Sequence, residues 1–149
     1  DGCRTPMPWV WSFPKAGFSS FTPWLPVPNT HVERSVDVQA PTEDSVLQFC
    51  RDFLAWRKGQ PAMSRGSIRI LDSDESLLVL ERKSEAQTIL AVFNLQEKSC
   101  EFDCSALYSS AQFFAIKSVM LKDLYKNKED GLINLPGYSM FFAKVCRHS

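Results

Sequence analysis

Residues 88–94, from Thr88 to Asn94, read TILAVFN, an apolar run with the length of one β-strand. Branched and aromatic side chains favour extended backbone, and apolar residues at nearly every successive position suit a strand that is buried on both faces. The run therefore predicts a central strand with protein packed against both sides of its sheet.

Six further segments with strand composition lie around this run. Turn-forming residues such as Asp72–Glu75 and Asn127–Gly131 separate them. Short strands that recur every 8–12 residues or so, without helices between them, indicate an antiparallel sandwich. We therefore predict that residues 67–145 form a mainly β domain, an antiparallel β-sandwich. The six segments are Ser67–Leu71, Leu77–Arg82, Ser99–Asp103, Gln112–Lys117, Leu132–Leu135 and Ser139–Val145.

Upstream of the strands, residues 43–58 carry the pattern of one α-helix. Apolar side chains recur there at the i, i+3, i+4 and i+7 spacing of a single helix face. Thr42 or Asp44 can cap the first turn, and Gly59 and Pro61 then end the helix. The apolar face comprises Val46, Leu47, Phe49, Cys50, Phe53 and Leu54.

The first 41 residues show neither the alternation of a β-strand nor the spacing of a helix face. They contain seven of the nine prolines and three of the four tryptophans. Proline fixes its own φ and disfavours helix for the residue before it, so a long helix is excluded. Because a solvated linker has no use for tryptophan, we predict a long ordered loop that packs against a scaffold.

Composition excludes several classes of partner. The 149 residues carry 17 basic and 17 acidic side chains, which argues against a nucleic-acid or anionic-membrane partner. No run of 18 apolar residues exists. Five irregularly spaced cysteines indicate free thiols, and we expect a reducing, cytoplasmic setting. Cys100 and Cys104 could be half of a zinc site with Cys146 and His148, but two tight pairs are usual, so we predict neither metal nor cofactor.

Motifs in the first part of the chain carry a family resemblance. The segment Asp1–Trp9, DGCRTPMPW, resembles the DGxRTPMxW segment of α-glucosidases and oligo-1,6-glucosidases, which belong to the α-amylase superfamily (glycoside hydrolase family 13). The resemblance continues at Ala16–Ser19, Pro23–Val27 and Asp44–Phe49. Leu135–Phe141 resembles the closing hairpin of the same family, where LPPYGYxVF is usual.

The resemblance implies a division of the chain. Members of this family have a catalytic (β/α)8 barrel followed by a C-terminal antiparallel β-sandwich. Residues 1–61 would then be the loop after the eighth barrel strand and the last barrel helix. Residues 62–149 would be the C-terminal domain, an antiparallel β-sandwich of Greek-key topology packed on the barrel. A whole barrel takes about 250 residues, so we expect this chain to be the C-terminal portion of a longer enzyme.

The family hydrolyses α-linked gluco-oligosaccharides with retention, which needs two carboxyl groups about 5 Å apart. By resemblance these groups project from earlier barrel strands, so we expect no catalytic residue in this chain and no activity from it alone. Arg4 matches the arginine of RTPMxW and is therefore expected to bind substrate at the active-site rim, on the aglycone side. A guanidinium offers five donors for sugar hydroxyls. Pro8 and Cys3 replace the usual Gln and Ala, which leaves the sugar specificity open.

Alternatives remain open at the level of sequence. The sandwich could bind carbohydrate by itself, or the chain could belong to a non-catalytic structural module like the transporter ectodomains of this superfamily. Arg4 could form an ion pair that only pins the loop. We expect Trp9, Trp11 and Trp24 to anchor the loop on the barrel rather than to form a sugar-stacking platform, and Trp56 to take part in core or edge packing.

Overall fold

The computed structural model describes residues 4–71, 73, 75–104, 107, 111–112 and 132–145. The chain divides into two compact units, residues 1–51 and residues 52–149. The first unit contains helices α1 (Asn29–Val32) and α2 (Val36–Gln39). Helix α3 (Val46–Lys58) begins in the first unit and ends in the second.

The proline-rich part of the first unit is irregular, as its sequence predicts. Residues 4–28 contain no helix longer than a single turn. Helices α1 and α2 are also short, and sequence periodicity did not indicate them because one turn is too brief to establish a period. The buried side chains here are small or apolar and include Val32 and Ser35.

Helix α3 confirms the predicted helix, although it begins three residues later than expected. Its first turn is capped by Ser45, whose Oγ accepts a hydrogen bond from the Gln48 N–H at 3.2 Å. The side-chain oxygen of Gln39 accepts a second from the Leu47 N–H at 3.1 Å. Thr42, which the sequence favoured as a cap, instead donates to the carbonyl of Val38 at 2.9 Å. The prediction of Thr42 or Asp44 as the capping residue is therefore wrong.

Helix α4 (Pro61–Arg65) follows directly and was not predicted. Pro61 was taken only as a helix stop, yet it lies at the first position of α4. Proline suits that position because its missing N–H would have no intrahelical partner there and its φ is already helical. Ala62 and Met63 are buried, which places α4 in the core of the second unit.

The described strands form antiparallel sheets, which confirms the predicted β class. A five-stranded sheet has the order β1-β2-β3-β7-β5, and a two-stranded sheet pairs β4 with β6. Every described pairing is antiparallel. Most of the predicted strand Gln112–Lys117 lies outside the described residues. The strands are β1 (Ser67–Leu71), β2 (Leu77–Lys83), β3 (Thr88–Asn94), β4 (Cys100–Asp103), β5 (Ala111–Gln112), β6 (Leu132–Leu135) and β7 (Met140–Val145).

Strand β3 occupies the middle of the five-stranded sheet and is buried on both faces, as its apolar run predicts. Leu90 and Val92 enter one core cluster, whereas Ile89 and Ala91 enter another on the opposite face. The neighbouring strand β7 repeats this arrangement. Phe141 and Phe142 are both buried, one in each cluster.

The two clusters have different coverings. The first includes Leu135 of β6 and has Phe102 of β4 packed against it, so it joins the two sheets. The second is covered by α4 and by two aromatic residues of α3. Trp56 and Phe53 have ring centroids 5.2 and 5.6 Å from that of Phe142. This confirms the expectation that Trp56 takes part in core packing.

A buried amide ties the end of β3 to the turn before β7. Asn94 donates from Nδ2 to the carbonyls of Lys98, Leu135 and Pro136 at 2.7, 3.1 and 2.9 Å, and its Oδ1 accepts from the Gln96 N–H at 3.0 Å. Gly137 lies against the same segment, where a Cβ would come within 1.9 Å of the Glu97 carbonyl oxygen. The turn can therefore form only with glycine at this position unless the backbone moves.

Strand β1 has β2 as its partner among the described residues and is largely exposed. Ile68 and Ile70 are 61% and 71% exposed, and they share the sheet face that bears the second cluster. On the other face, a guanidinium nitrogen of Arg69 lies 3.1 Å from Oε1 of Glu81.

Candidate functional site

The first unit holds Arg4, the site residue that the sequence singled out, at the start of a loop that is tied down close to it. Thr5 Oγ1 and His31 Nδ1 are 3.3 Å apart, and Pro6 is buried. These contacts fix the chain immediately after Arg4. His31, an isolated histidine in the sequence, thus has a structural contact rather than a recognisable catalytic one.

The next segment of the loop hydrogen-bonds with the start of α2. The carbonyls of Pro8 and Trp9 accept from the N–H groups of Val36 and Asp37 at 3.0 and 3.1 Å. In return, the Trp11 N–H donates to Oδ2 of Asp37 at 2.9 Å. The loop therefore has a defined path without regular secondary structure.

Asp37 is the acidic residue that holds this arrangement together. Its other carboxylate oxygen accepts a hydrogen bond from the Ser35 hydroxyl. The hydrogen bond from Ser35, followed by that from the Trp11 N–H, lowers the pKa of Asp37 below its ordinary value. An exposed carboxylate engaged in this way is a structural group. Sequence reasoning missed it, although Ser35-x-Asp37 at the start of a helix is a pattern that favours such bonds.

The loop closes on itself through Ala16. Its carbonyl accepts from the N–H groups of Trp9 and Val10 at 2.8 and 3.1 Å. Gly17 follows with φ at +69°, and a Cβ there would lie 2.9 Å from Val10 Cγ2. The turn itself therefore favours glycine at position 17 of the recognised motif.

Arg4 contacts Trp24, from a distant part of the same loop. The guanidinium carbon lies 5.8 Å from the centroid of the Trp24 ring, within the range of a cation–π interaction. Trp24 is 85% exposed in this chain, and Trp9 and Trp11 are exposed as well. Arg4 is also exposed. The Arg4 guanidinium thus lies beside an aromatic ring that is exposed in this chain.

The second unit contains a cavity of about 370 Å³. Two amides meet at its wall, where Nε2 of Gln87 donates to Oε1 of Gln60 at 2.6 Å. The Ala62 N–H donates to the side-chain oxygen of Gln87, Oε1, at 3.3 Å. The lining residues are Trp56, Gln60, Gln87, Ile89, Phe142, Ala143 and Lys144.

The cysteines have separate environments. Cys50 is exposed, Cys100 half-buried and Cys104 buried, and all three are free thiols. Burial, followed by the charge of Asp103, raises the pKa of Cys104 to about 12. Positions 146 and 148 of the zinc alternative lie outside the described residues. Within the described ranges, no three His, Cys, Asp or Glu side chains cluster so as to hold a metal ion.

Comparison with known proteins identifies the family. The model of the α-amylase catalytic domain matches residues 1–66. A probable α-glucosidase from Rhizobium meliloti (strain 1021) is 35% identical over 153 residues, which cover 97% of this chain and 25% of the relative. The chain belongs to the α-glucosidase family. Its glycosidase relatives include an oligo-1,6-glucosidase from Heyndrickxia coagulans, 33% identical over 104 residues that cover 69% of this chain and 19% of that protein.

Solved structures agree with this assignment. The crystal structure of the α-glucosyl transfer enzyme XgtA superposes on this α-glucosidase-family chain with a TM-score of 0.84 at 36% identity. The match covers 98% of this chain and 26% of that enzyme. The chain thus spans about a quarter of the length of these relatives. Among the described residues, no helix is both long and apolar enough to cross a membrane.

Proposed function

We propose that this chain is the C-terminal part of an α-glucosidase-type retaining glycoside hydrolase that acts on α-linked gluco-oligosaccharides. Arg4 binds substrate at the rim of the active site, on the aglycone side. The observation that carries this proposal is the exposed Arg4 guanidinium beside Trp24, on a loop fixed by Thr5 and His31. A rigid loop supports such a role because positioning contributes to rate.

The rest of the chain supports the barrel in this proposal. Residues 1–61 complete the catalytic barrel with its last loop and helix, and residues 62–149 form the C-terminal Greek-key sandwich. The nucleophile and acid/base carboxylates belong to other parts of the enzyme. Two exposed apolar side chains of α3, Val46 and Leu54, support packing of this helix on a barrel. Free thiols at Cys50 and Cys104 support a cytoplasmic location.

Substitution of Arg4 in the intact enzyme tests the site. Arg4→Ala should lower kcat/KM for an α-linked disaccharide by about 1–3 kcal/mol, the size of a lost charged hydrogen bond. Arg4→Lys should recover only part of this, because an ammonium cannot reproduce the planar fork of the guanidinium. An unchanged kcat/KM in Arg4→Ala would show that Arg4 only holds the loop in place.

Activity of the 149-residue chain tests whether the catalytic carboxylates lie outside it. We expect no turnover of p-nitrophenyl α-glucoside, because the carboxylates that perform retention lie elsewhere. Turnover that survives a control preparation from the same host without this chain would contradict the assignment of catalysis to the rest of the enzyme.

A carbohydrate-binding role for the β unit is the alternative that the cavity favours. The rings of Trp56 and Phe142 line it beside the amides of Gln60 and Gln87, a combination that suits a sugar. Titration calorimetry with maltotriose should then show binding by the isolated chain that Trp56→Ala removes. A non-catalytic structural module, like a transporter ectodomain, would instead give an intact protein without glucosidase activity.

A further inference from the structure

The sheet face that bears the second core cluster also carries a partly buried cation. Arg82 of β2 lies opposite Ile68 of β1 and Ile89 of β3 in the strand register, so these three side chains share the face. Nη2 of Arg82 donates to the Gly66 carbonyl at 2.9 Å. Nε of Arg82 is buried and has no hydrogen-bond partner among the described residues.

Among the described strands, no acidic side chain shares this face with Arg82. The residues that β1, β2, β3 and β7 place there are apolar apart from Arg82 and Lys144. Helix α4, which packs on the face, contains no acidic residue either. A guanidinium removed from water is costly unless a carboxylate or several acceptors pair with it. One carbonyl leaves the positive charge uncompensated, so we expect an acidic partner beyond the described residues.

The chain next to Arg82 has the same sign of charge. Residues 53–66, which comprise the end of α3 and the whole of α4, contain three basic residues and no acidic one, although the chain as a whole is neutral. Strand β1 adds Ile68 and Ile70, which are 61% and 71% exposed in the 149-residue chain. A surface that combines apolar side chains with positive charge is complementary to one that combines apolar side chains with carboxylates. The three basic residues are Arg57, Lys58 and Arg65.

Resting on the function proposed above, we propose that Ile68, Ile70 and Arg82 form a docking surface for the part of the enzyme upstream of Asp1. This upstream part covers both isoleucines and pairs a carboxylate with the Arg82 guanidinium. The chain spans about a quarter of the length of its relatives, which leaves a large body to cover the surface. The docking surface also continues the second cluster, which is already covered by α3. Because α3 is the last barrel helix in the proposed function, the rest of the barrel lies beside it.

Removal of the Arg82 charge should have different effects with and without the upstream part. In the intact enzyme, Arg82→Met should lower the melting temperature by about 2–4 °C, because a buried carboxylate then lacks its partner. In the 149-residue chain the same substitution should leave the melting temperature unchanged or raise it, because it removes an uncompensated charge. A fall in both proteins would show that the Gly66 contact alone accounts for Arg82. That result would overturn the inference, as would an unchanged melting temperature in the intact enzyme.

Arg69→Met is the matched control. Arg69 lies on the same edge strand as the isoleucines but on the other face, where its guanidinium is 3.1 Å from Oε1 of Glu81. The acidic partner of Arg69 belongs to the 149-residue chain. Arg69→Met should therefore shift the melting temperature in the same direction in both proteins, whereas Arg82→Met should not.

Photo-crosslinking of the intact enzyme identifies what covers the docking surface. With p-benzoylphenylalanine in place of Ile70, irradiation should join position 70 to a peptide from upstream of Asp1, which mass spectrometry identifies. A crosslink within the 149 residues, a crosslink between two copies, or no crosslink would overturn the inference. A glucosidase assay of the same preparation separates the two proposals. An upstream crosslink in a protein without glucosidase activity would disprove the proposed function and support the docking surface.

Discussion

At the scale of single residues, Asp37 shows how this chain orders a loop that has few regular hydrogen bonds. One carboxylate receives the Ser35 hydroxyl and the Trp11 N–H, and the Asp37 N–H binds the Trp9 carbonyl. The contacts of Trp9 and Trp11 join the loop to α2, whereas that of Ser35 lies within the start of the helix. A charged acceptor forms stronger hydrogen bonds than a neutral one, so the carboxylate form stabilises the loop.

The lowered pKa of Asp37 sets the direction of a pH effect. A depressed pKa in the folded state contributes stability above the ordinary aspartate range, and this is lost as pH falls through the lowered pKa. Ser35→Ala should raise the Asp37 pKa, measured by carboxyl-detected NMR titration, because Ser35 is the largest cause of the shift. Ser19→Ala removes a hydroxyl that bonds to Phe21 within its own turn and should leave that pKa unchanged.

At the scale of elements, helix α3 depends on a cap that combines two side chains. The Ser45 hydroxyl accepts from the Gln48 N–H and donates to the Gln39 carbonyl at 2.8 Å, while the Gln39 amide oxygen receives the Leu47 N–H. Two N–H groups that a helix start leaves without intrahelical partners are thus satisfied. The helix and the turn before it are therefore expected to form together.

Ser45→Ala should destabilise the chain by about 1 kcal/mol, because one of these N–H groups then lacks its partner. Thr42→Ala should cost less, since the Thr42 hydroxyl binds the Val38 carbonyl and caps no N–H group. Urea denaturation followed by circular dichroism measures both variants. A larger loss of stability in Thr42→Ala than in Ser45→Ala would show that Thr42 caps the helix, as the sequence favoured.

The elements differ in how far sequence could predict them. The run in β3 and the helical spacing of α3 specify their elements locally, and both are present. The sequence predicted the wrong capping residue because Thr42, Asp44 and Ser45 all have side chains that can cap a helix. The position of Gln39, which contacts both Ser45 and the Leu47 N–H, selects Ser45. Sequence reasoning missed helix α4 because Pro61 was interpreted as a residue that stops α3, whereas it is the first residue of α4. The Arg4–Trp24 contact has no local signal, since it depends on how the intervening loop folds.

At the scale of the whole molecule, the first core cluster joins the two described sheets and encloses a thiol. Cys104 is buried there beside Val79, Leu90 and Phe141. Its pKa of about 12 keeps the sulfur protonated across the physiological range. Nucleophilic reactions require the thiolate, so Cys104 can react only when this core opens.

Cys104 should therefore resist alkylation at pH 8, whereas exposed Cys50 should react readily in the same 149-residue chain. Peptide mass spectrometry after iodoacetamide treatment distinguishes the two sites. Equal labelling of both cysteines would contradict the buried position.

Because its folded-state pKa is raised, the Cys104 contribution to stability is complete below the ordinary thiol pKa and falls as pH rises toward 12. Cys104→Ala should remove that alkaline dependence.

Strand β1 has a consequence for how the chain behaves in concentrated solution. Ile68 and Ile70 extend the apolar face of the second cluster into solvent, along a strand whose outer backbone groups have no partner among the described residues. Such an edge is a template for another strand of the same kind. The 149-residue chain is therefore prone to strand-to-strand self-association, and charged side chains at these two positions are the substitutions that would keep it dispersed.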